Sequence, residues 1–182
     1  VETLGNIFMN TACEASCNYG IGYDGRVLLC VDESNRSWCS SSNANDQRAV
    51  TIECASDTVA PYTMNSKVYN KLIALCVDIC KRNGKTKLLW FGNEDKTLNY
   101  SPKSGEMVLT VHRWFANKSC PGDWLYNRLG NLADEVTAEL CGKTSNKENE
   151  EMIKYGAHNT ATLAFKKQLI TLYNMRIIKT KV

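Results

Sequence analysis

Apolar residues recur along this chain at helical and at extended spacings, and the two spacings alternate. The clearest helical pattern is SKVYNKLIALCVDICKRNG at residues 66–84. Its inward face is predicted to consist of Val68, Leu72, Leu75, Cys76 and Ile79. Ser66 is the expected N-cap, and Gly84 follows the expected end. The segment is therefore predicted to be a long amphipathic helix.

Two further helices are predicted on either side of this one. Residues 1–18 place apolar side chains at helical spacing, at Leu4, Ile7, Phe8 and Ala12. A second helix, capped by Asp123, is predicted to run to about Cys141. Its inward residues would be Leu125, Leu129, Leu132, Val136 and Leu140.

Extended segments lie between these helices. Asp24 and Gly25 form a two-residue turn signal between apolar runs, which predicts a hairpin. AVTIECA at 49–55 is predicted to be a central strand, and KLLWF at 87–91 a short one. EMVLTVH at 106–112 is predicted to be a strand that ends at a histidine. The alternation predicts an α/β domain with a mixed central β-sheet flanked by helices.

Composition and charge narrow the classes of function. The chain has 182 residues, of which 43% are hydrophobic and 23% charged, as expected for a domain with a sizeable core. The net charge of +3 is mildly basic, and the basic residues are scattered, which argues against a nucleic-acid partner. A slight positive charge suits an anionic polymer such as a bacterial wall.

The sequence predicts neither a transmembrane segment nor a signal peptide. No apolar run reaches the ~18 residues of a membrane span. The stretch VETLGNIFMN lacks the basic and apolar regions of a signal peptide, so we expect cytoplasmic synthesis. The nine cysteines are odd in number and include no C-x-x-C pair. They are predicted to be free thiols in a reducing compartment, with a disulfide scaffold as the less favoured alternative.

The stretch VHRWFANKSCPGDWL at 111–125 carries the candidate chemistry. His112 stands eight positions before Cys120, and imidazole and thiolate are both zinc ligands. A loop between them allows both to reach one ion, and Lys118 would then stabilise an oxyanion. Two other interpretations are a histidine bonded to backbone beside a buried cysteine, and a Cys/His protease pair. Spacing alone leaves the choice open.

Several motifs in the chain resemble one enzyme family. HRWFANKSCPGDWL is similar to the C-terminal zinc motif of type 2 N-acetylmuramoyl-L-alanine amidases, which include many phage endolysins and are related to peptidoglycan recognition proteins. CNYGIGYDGRVLLCVDESNRSWCSS resembles the strand–turn–strand unit of that family, and QRAVTIECAS resembles the strand with its active-site glutamate. The resemblance is colinear over residues 1–141.

The resemblance implies a role for each matching residue. His112 and Cys120 would bind Zn²⁺, Glu53 would be the general base, and Lys118 would steady the tetrahedral intermediate. Asn18 and Trp114 would line the substrate groove, although a structural role is equally open for each. The implied reaction hydrolyses the amide between N-acetylmuramic acid and L-alanine in bacterial peptidoglycan. For Glu53, strand alternation toward solvent is the competing interpretation.

The chain also departs from the family pattern. The first zinc ligand of the family is a histidine on a strand before the first helix, and no such histidine occurs here. We expect the amidase-like domain, residues 1–141, to be N-terminally incomplete, with His158 as a less favoured substitute ligand. Cys17 also stands where many members have a tyrosine.

The resemblance and the departures from it leave three functions to consider. A lytic zinc amidase is expected, which would act on the wall after release from the cell. The first alternative is a non-catalytic peptidoglycan-binding module that has lost a zinc ligand, and the second is a structural fragment. A charged linker is predicted at 142–150, followed by a helical tail of unknown role at 151–182. The oligomeric state is left open.

Overall fold

The structure, a computed structural model, describes residues 2–142. The predicted tail at 151–182, the substitute ligand His158 and nearly all of the predicted linker lie outside the described residues. The helices are α1 (Glu2–Met9), α2 (Asn43–Asp46), α3 (Ser66–Arg82), α4 (Glu94–Leu98), α5 (Asp123–Tyr126) and α6 (Leu129–Leu140). The strands are β1 (Tyr19–Ile21), β2 (Val27–Leu29), β3 (Ile52–Cys54), β4 (Lys87–Leu89) and β5 (Glu106–Val108).

The long central helix α3 has the predicted extent but a different cap. Asn65 occupies the N-cap position in an extended conformation, and its side chain accepts a hydrogen bond from the Val68 N–H at 3.0 Å. The prediction of Ser66 as cap is therefore wrong by one residue, because Ser66 is already helical. Gly84 follows the end of the helix with φ of 62°, as the sequence predicted.

The other predicted helices are shorter or divided. The helix predicted at 1–18 ends at Met9, and a 3₁₀ turn follows at Thr11–Cys13. The helix predicted from Asp123 is interrupted between α5 and α6, and Gly122 rather than Asp123 occupies the N-cap position of α5. Gly122 takes φ of 80°, which a residue with a side chain rarely adopts.

The predicted α/β fold with a mixed sheet is confirmed, and the described residues form two separate sheets. In the first sheet, β1 lies between β2, which is antiparallel to it, and β3, which is parallel to it. In the second sheet, β4 and β5 form a parallel pair. The segment predicted to be a central strand is therefore an edge strand, β3, because strand order depends on pairing between distant segments.

The open edges of β3 and β5 border the same space. The Tyr19 N–H donates to the Thr51 carbonyl, so in parallel alternation the backbone groups of Ile52 and Cys54 point away from β1. Residues of β3 and β5 line one cavity of about 860 Å³. Within residues 2–142, this cavity lies between the two sheets.

The core is built on one face of α3. Apolar side chains of α3 and α6 pack against each other and against β4. Its almost fully buried members include Val68, Ile73, Cys80, Leu132 and Val136. Burial of this face removes large aliphatic side chains from water, which is the main stabilising contribution to such a fold. None of the described helices is long and apolar enough to cross a membrane.

Candidate functional site

Strand β3 positions the Glu53 carboxylate at the edge of the first sheet. Thr51, two residues before Glu53, is held by two hydrogen bonds to Asn18. The Thr51 N–H donates to Asn18 Oδ1 at 2.9 Å, and the Asn18 N–H donates to Thr51 Oγ1 at 3.0 Å. Ser37 Oγ lies 2.7 Å from the same Thr51 hydroxyl. The network is buried, so it holds the start of the strand rigidly against β1.

The surroundings of Glu53 disfavour its charged form. Burial raises the pKa of the Glu53 carboxyl group above its ordinary value. A hydrogen bond from the Cys39 thiol, with Sγ 3.6 Å from Oε1, and the charge of His112 act in the opposite direction but are the smaller effects. A carboxylate with a raised pKa is a better proton acceptor than an exposed one.

A clamped loop brings His112 and Cys120 together. His112 begins a 3₁₀ turn, His112–Trp114, and does not end a regular strand as predicted, because strand pairing stops at Val108. The Arg113 N–H donates to the Cys120 carbonyl at 3.0 Å. The Arg113 guanidinium also donates to the Ser119 carbonyl at 2.6 Å and to Asp123 at 2.9 Å. These bonds fold the loop back on itself.

Glu53, His112 and Cys120 line the same cavity of about 340 Å³. Cys120 is exposed as a residue, but partial burial of its thiol raises the pKa of that group. The negative charge of Glu53 raises the pKa further, while the positive charge of Lys118 opposes the shift. His112 Nε2 lies 3.0 Å from the Ser41 hydroxyl, which fixes the orientation of the ring. The cavity therefore combines a carboxylate, an imidazole and a thiol.

The donor set fits zinc only in part. Imidazole nitrogen and thiolate sulfur are preferred zinc ligands, and a catalytic zinc site uses three protein ligands. Within residues 2–142, no group of three histidine, cysteine, aspartate or glutamate side chains is arranged to hold a metal ion. His112 and Cys120 therefore supply two donor groups of the types that zinc prefers, and a third is lacking among the described residues.

The other residues predicted for the site do not line this cavity. Lys118 is exposed, and its charge acts on the Cys120 thiol. Asn18 is buried, and its side-chain amide donates to the carbonyls of Val31 and Asp32 at 3.1 and 3.3 Å. Trp114 stacks on Trp90, with ring centroids 5.1 Å apart. These contacts favour the structural interpretation for Asn18 and Trp114.

Two contributors were missed from the sequence, Cys39 and Ser41. Both lie in the polar segment RSWCSSSNANDQ at 36–47. Cys39 contacts Glu53, and Ser41 contacts His112. The fold brings them there across 14 and 71 positions of sequence. Periodicity carries no signal for such contacts, and the one sequence signal that covers both residues is the resemblance of residues 17–41 to the strand–turn–strand unit of the family.

Comparison with known proteins gives one family. A family model described as N-acetylmuramoyl-L-alanine amidase matches residues 3–123. The matched region contains Glu53, His112 and Cys120, and it ends at the start of α5. No curated protein and no solved structure matches the chain.

Proposed function

The chain belongs to the N-acetylmuramoyl-L-alanine amidase family, and from this premise we propose that it hydrolyses the amide between N-acetylmuramic acid and L-alanine in bacterial peptidoglycan. The observation that carries the proposal is the common cavity of Glu53, His112 and Cys120. A base and two zinc-type donors on one cavity wall supply part of the set of groups that metal-assisted amide hydrolysis requires.

Glu53 is the proposed general base. A general base must first accept a proton and later donate it, so both of its protonation states must be accessible. Glu53 has a raised pKa, which makes its protonated form easier to reach. It takes a proton from the attacking water and delivers it to the nitrogen of the departing L-alanine. The Cys39 thiol, which donates to the carboxylate, holds its orientation.

His112 and Cys120 are proposed as two ligands of a zinc ion. When bound, zinc lowers the pKa of water and polarises a carbonyl group. His112 would contribute a ring nitrogen and Cys120 a thiolate, although burial and the charge of Glu53 raise the pKa of the Cys120 thiol. The Arg113 bonds that fold the loop hold the two ligands in place before zinc arrives.

Lys118 is the proposed stabiliser of the tetrahedral intermediate. Its ammonium group is exposed at the rim of the site, and its charge reaches the Cys120 thiol. An ammonium group at this position favours negative charge that develops on the substrate oxygen. This role differs from metal binding, so mutation separates the two.

Metal analysis tests the ligand assignment. We expect Cys120→Ser to lose bound zinc almost completely after dialysis, because a neutral hydroxyl is a poor substitute for a thiolate. Cys141→Ser is the matched control, since Cys141 is also exposed but follows α6. The measurement is zinc per chain by atomic emission. Equal zinc contents in the two variants contradict the assignment of Cys120.

Turnover tests the role of Lys118. We expect Lys118→Ala to retain the zinc content of the wild type and to lower kcat about 10²-fold, the loss typical of one oxyanion donor. Lys71→Ala is the control, because Lys71 is exposed on α3. If both variants turn over at the wild-type rate, Lys118 has no part in the mechanism.

A non-catalytic peptidoglycan-binding module is the second candidate. The observation that favours it is the incomplete set of zinc donors among the described residues. This candidate predicts that the wild type binds muropeptide with the same affinity in zinc and in chelator and releases no product. An endolysin-like role, in which the protein reaches the wall after release from the cell, belongs to the first candidate.

A further inference from the structure

Two cysteines beside the hairpin lie in direct contact. Cys17 precedes β1 and Cys30 follows β2, and their sulfur atoms are 3.8 Å apart. Cys17 is fully buried, whereas Cys30 is partly exposed. All nine cysteines are free thiols in the structure. A buried thiol that touches an accessible one is the arrangement from which a disulfide forms without large movement of the chain.

Backbone hydrogen bonds hold Cys17 and Cys30 next to each other. The Asn18 carbonyl accepts hydrogen bonds from both Cys30 N–H, at 2.9 Å, and Val31 N–H, at 3.4 Å. Two residues therefore oppose one, as in a β-bulge, at the end of the hairpin. The Asn18 side chain adds a bond to the Val31 carbonyl at 3.1 Å. The two sulfur atoms are consequently held on a rigid frame.

We propose that Cys17 and Cys30 form an oxidation-sensitive dithiol, which a low-molecular-weight disulfide converts to an intramolecular disulfide. The Cys30 thiolate attacks one sulfur of the oxidant and expels one thiolate, which leaves a mixed disulfide. The Cys17 thiolate then attacks the Cys30 sulfur and expels the second. The protein loses two hydrogen atoms, and the oxidant is reduced to two thiols.

The order of attack follows from accessibility. Cys30 is the sulfur that a dissolved oxidant reaches first, because Cys17 has no exposed surface. Burial and the neighbouring Cys30 raise the pKa of the Cys17 thiol, so Cys17 is a poor first nucleophile. In the mixed disulfide, proximity to the Cys30 sulfur compensates for this low reactivity.

Other cysteines also have cysteine neighbours, since besides burial Cys76 raises the pKa of the Cys54 thiol and Cys80 raises that of Cys76. Among the described residues, however, the direct sulfur–sulfur contact between two cysteines is that of Cys17 and Cys30. Cys39 contacts the Glu53 carboxylate, and the Cys80 sulfur lies 3.9 Å from that of Met107. Cys120 and Cys141 are exposed but have no sulfur contact among the described residues. The oxidant is therefore expected to produce one intramolecular disulfide, with at most mixed disulfides at the exposed positions.

The proposed disulfide would stabilise the hairpin to which the strand of Glu53 is bonded. It joins the open end of the β1–β2 hairpin, and Asn18, within the closed segment 17–30, is bonded to Thr51, two residues before Glu53. Closing a loop of this length restricts the unfolded chain, so the oxidised protein is expected to melt several degrees higher. Formation of this disulfide does not depend on the proposed amidase activity.

Peptide mapping of the full chain tests the proposal. The wild type is incubated with oxidised glutathione, remaining thiols are alkylated, and the digest is analysed by mass spectrometry. We expect a peptide pair joined through Cys17 and Cys30, lower in mass by two hydrogen atoms. We also expect a higher Tm that dithiothreitol reverses. The proposal is overturned if Cys17 and Cys30 remain free thiols under conditions in which the exposed cysteines have formed mixed disulfides. A disulfide between different cysteines also overturns it.

Single variants test the order of attack. Cys17→Ser is expected to stop at a mixed disulfide on Cys30, and Cys30→Ser to leave Cys17 as a free thiol. Cys141→Ser, a substitution at an exposed position, is expected to form the disulfide like the wild type. A mixed disulfide on Cys17 in Cys30→Ser contradicts the order of attack, and the wild-type map decides on the disulfide even if a variant fails to fold.

Discussion

At the scale of single residues, the proposed base Glu53 lowers the stability of the fold at neutral pH. Its carboxyl group is partly buried, and its pKa is raised because burial disfavours the charge. The folded protein therefore binds this proton more tightly than the unfolded chain does. Stability from this effect is fully present below the unfolded pKa and is lost as the pH rises through the folded pKa. At neutral pH the carboxylate lowers the stability of the fold.

Glu53→Gln is expected to raise Tm above that of the wild type at pH 8, because the neutral amide removes the buried charge. The difference should shrink toward pH 4, where the wild-type carboxyl is protonated too. Thermal melts across this range in chelator provide the measurement. A difference that is constant with pH, or that grows at low pH, contradicts the raised pKa of Glu53.

Glu33→Gln is the matched variant of opposite sign. Burial acts to raise the pKa of Glu33, but hydrogen bonds from Arg82, Tyr19 and Asn83 outweigh it and lower the pKa. Its stabilising effect is present above the unfolded pKa and is lost as the pH falls through the folded pKa. Glu33→Gln should therefore lower Tm at pH 8 and have less effect near pH 4.

Gly122 is fixed by its surroundings as well as by its backbone. A Cβ atom at this position would lie 2.8 Å from the Tyr62 Cβ and 3.0 Å from the Pro61 carbonyl oxygen. The Pro61 carbonyl also accepts the Trp124 N–H at 3.0 Å. The close approach places the loop that carries Cys120 against residues 61–62.

Gly122→Ala is expected to destabilise the protein by about 1–3 kcal/mol or more, from backbone strain together with the clash. Gly84→Ala is the control, because Gly84 also has positive φ but has open space around its Cα. Urea unfolding measures both. If the two substitutions cost the same, the contact with residues 61–62 is not what requires glycine at 122.

At the scale of secondary-structure elements, the outer edge of β4 is closed by a helix side chain. The Thr137 hydroxyl on α6 accepts the Leu88 N–H at 3.1 Å and donates to the Leu88 carbonyl at 3.1 Å. One side chain thus satisfies both backbone groups of a buried strand residue. The edge of β5 faces the larger cavity and has no such closure from α6.

Thr137→Val is expected to destabilise the protein by about 1–3 kcal/mol, because it leaves a buried donor and acceptor at Leu88 without a partner. Thr137→Ser retains the hydroxyl and should cost much less. Urea unfolding compares the two variants with the wild type. Equal losses in the two variants would assign the effect to the lost methyl group rather than to the hydrogen bonds.

Elements with local signals were predictable from the sequence. The amphipathic face and the following glycine located α3 to within a residue, and the Asp24-Gly25 turn located the hairpin of β1 and β2. The position of β3 at a sheet edge was not predictable, since strand order depends on distant pairing. The segment before His112 was apolar and β-branched, but its strand ends at Val108, where pairing with β4 stops.

At the scale of the whole molecule, the candidate site combines three distant segments. Glu53 comes from the edge of the first sheet, Cys39 from the segment before α2, and His112 and Cys120 from one folded loop. The motifs predicted Glu53, His112 and Cys120, because each has a recognisable sequence context. Contacts such as Cys39 with Glu53 arise only when the sheet and the loop pack together, and no local pattern encodes them.

Hydrolysis of purified peptidoglycan by the full chain, with zinc supplied, tests the central claim most directly. New alanine amino groups are counted by end-group labelling, and reducing sugar ends are counted in parallel to exclude glycosidase activity. The account predicts that the wild type releases alanine amino groups without new reducing ends. Glu53→Gln should be slower by about 10²–10⁴-fold, as expected for loss of a general base. No release by the wild type, or equal rates for the two proteins, contradicts the account.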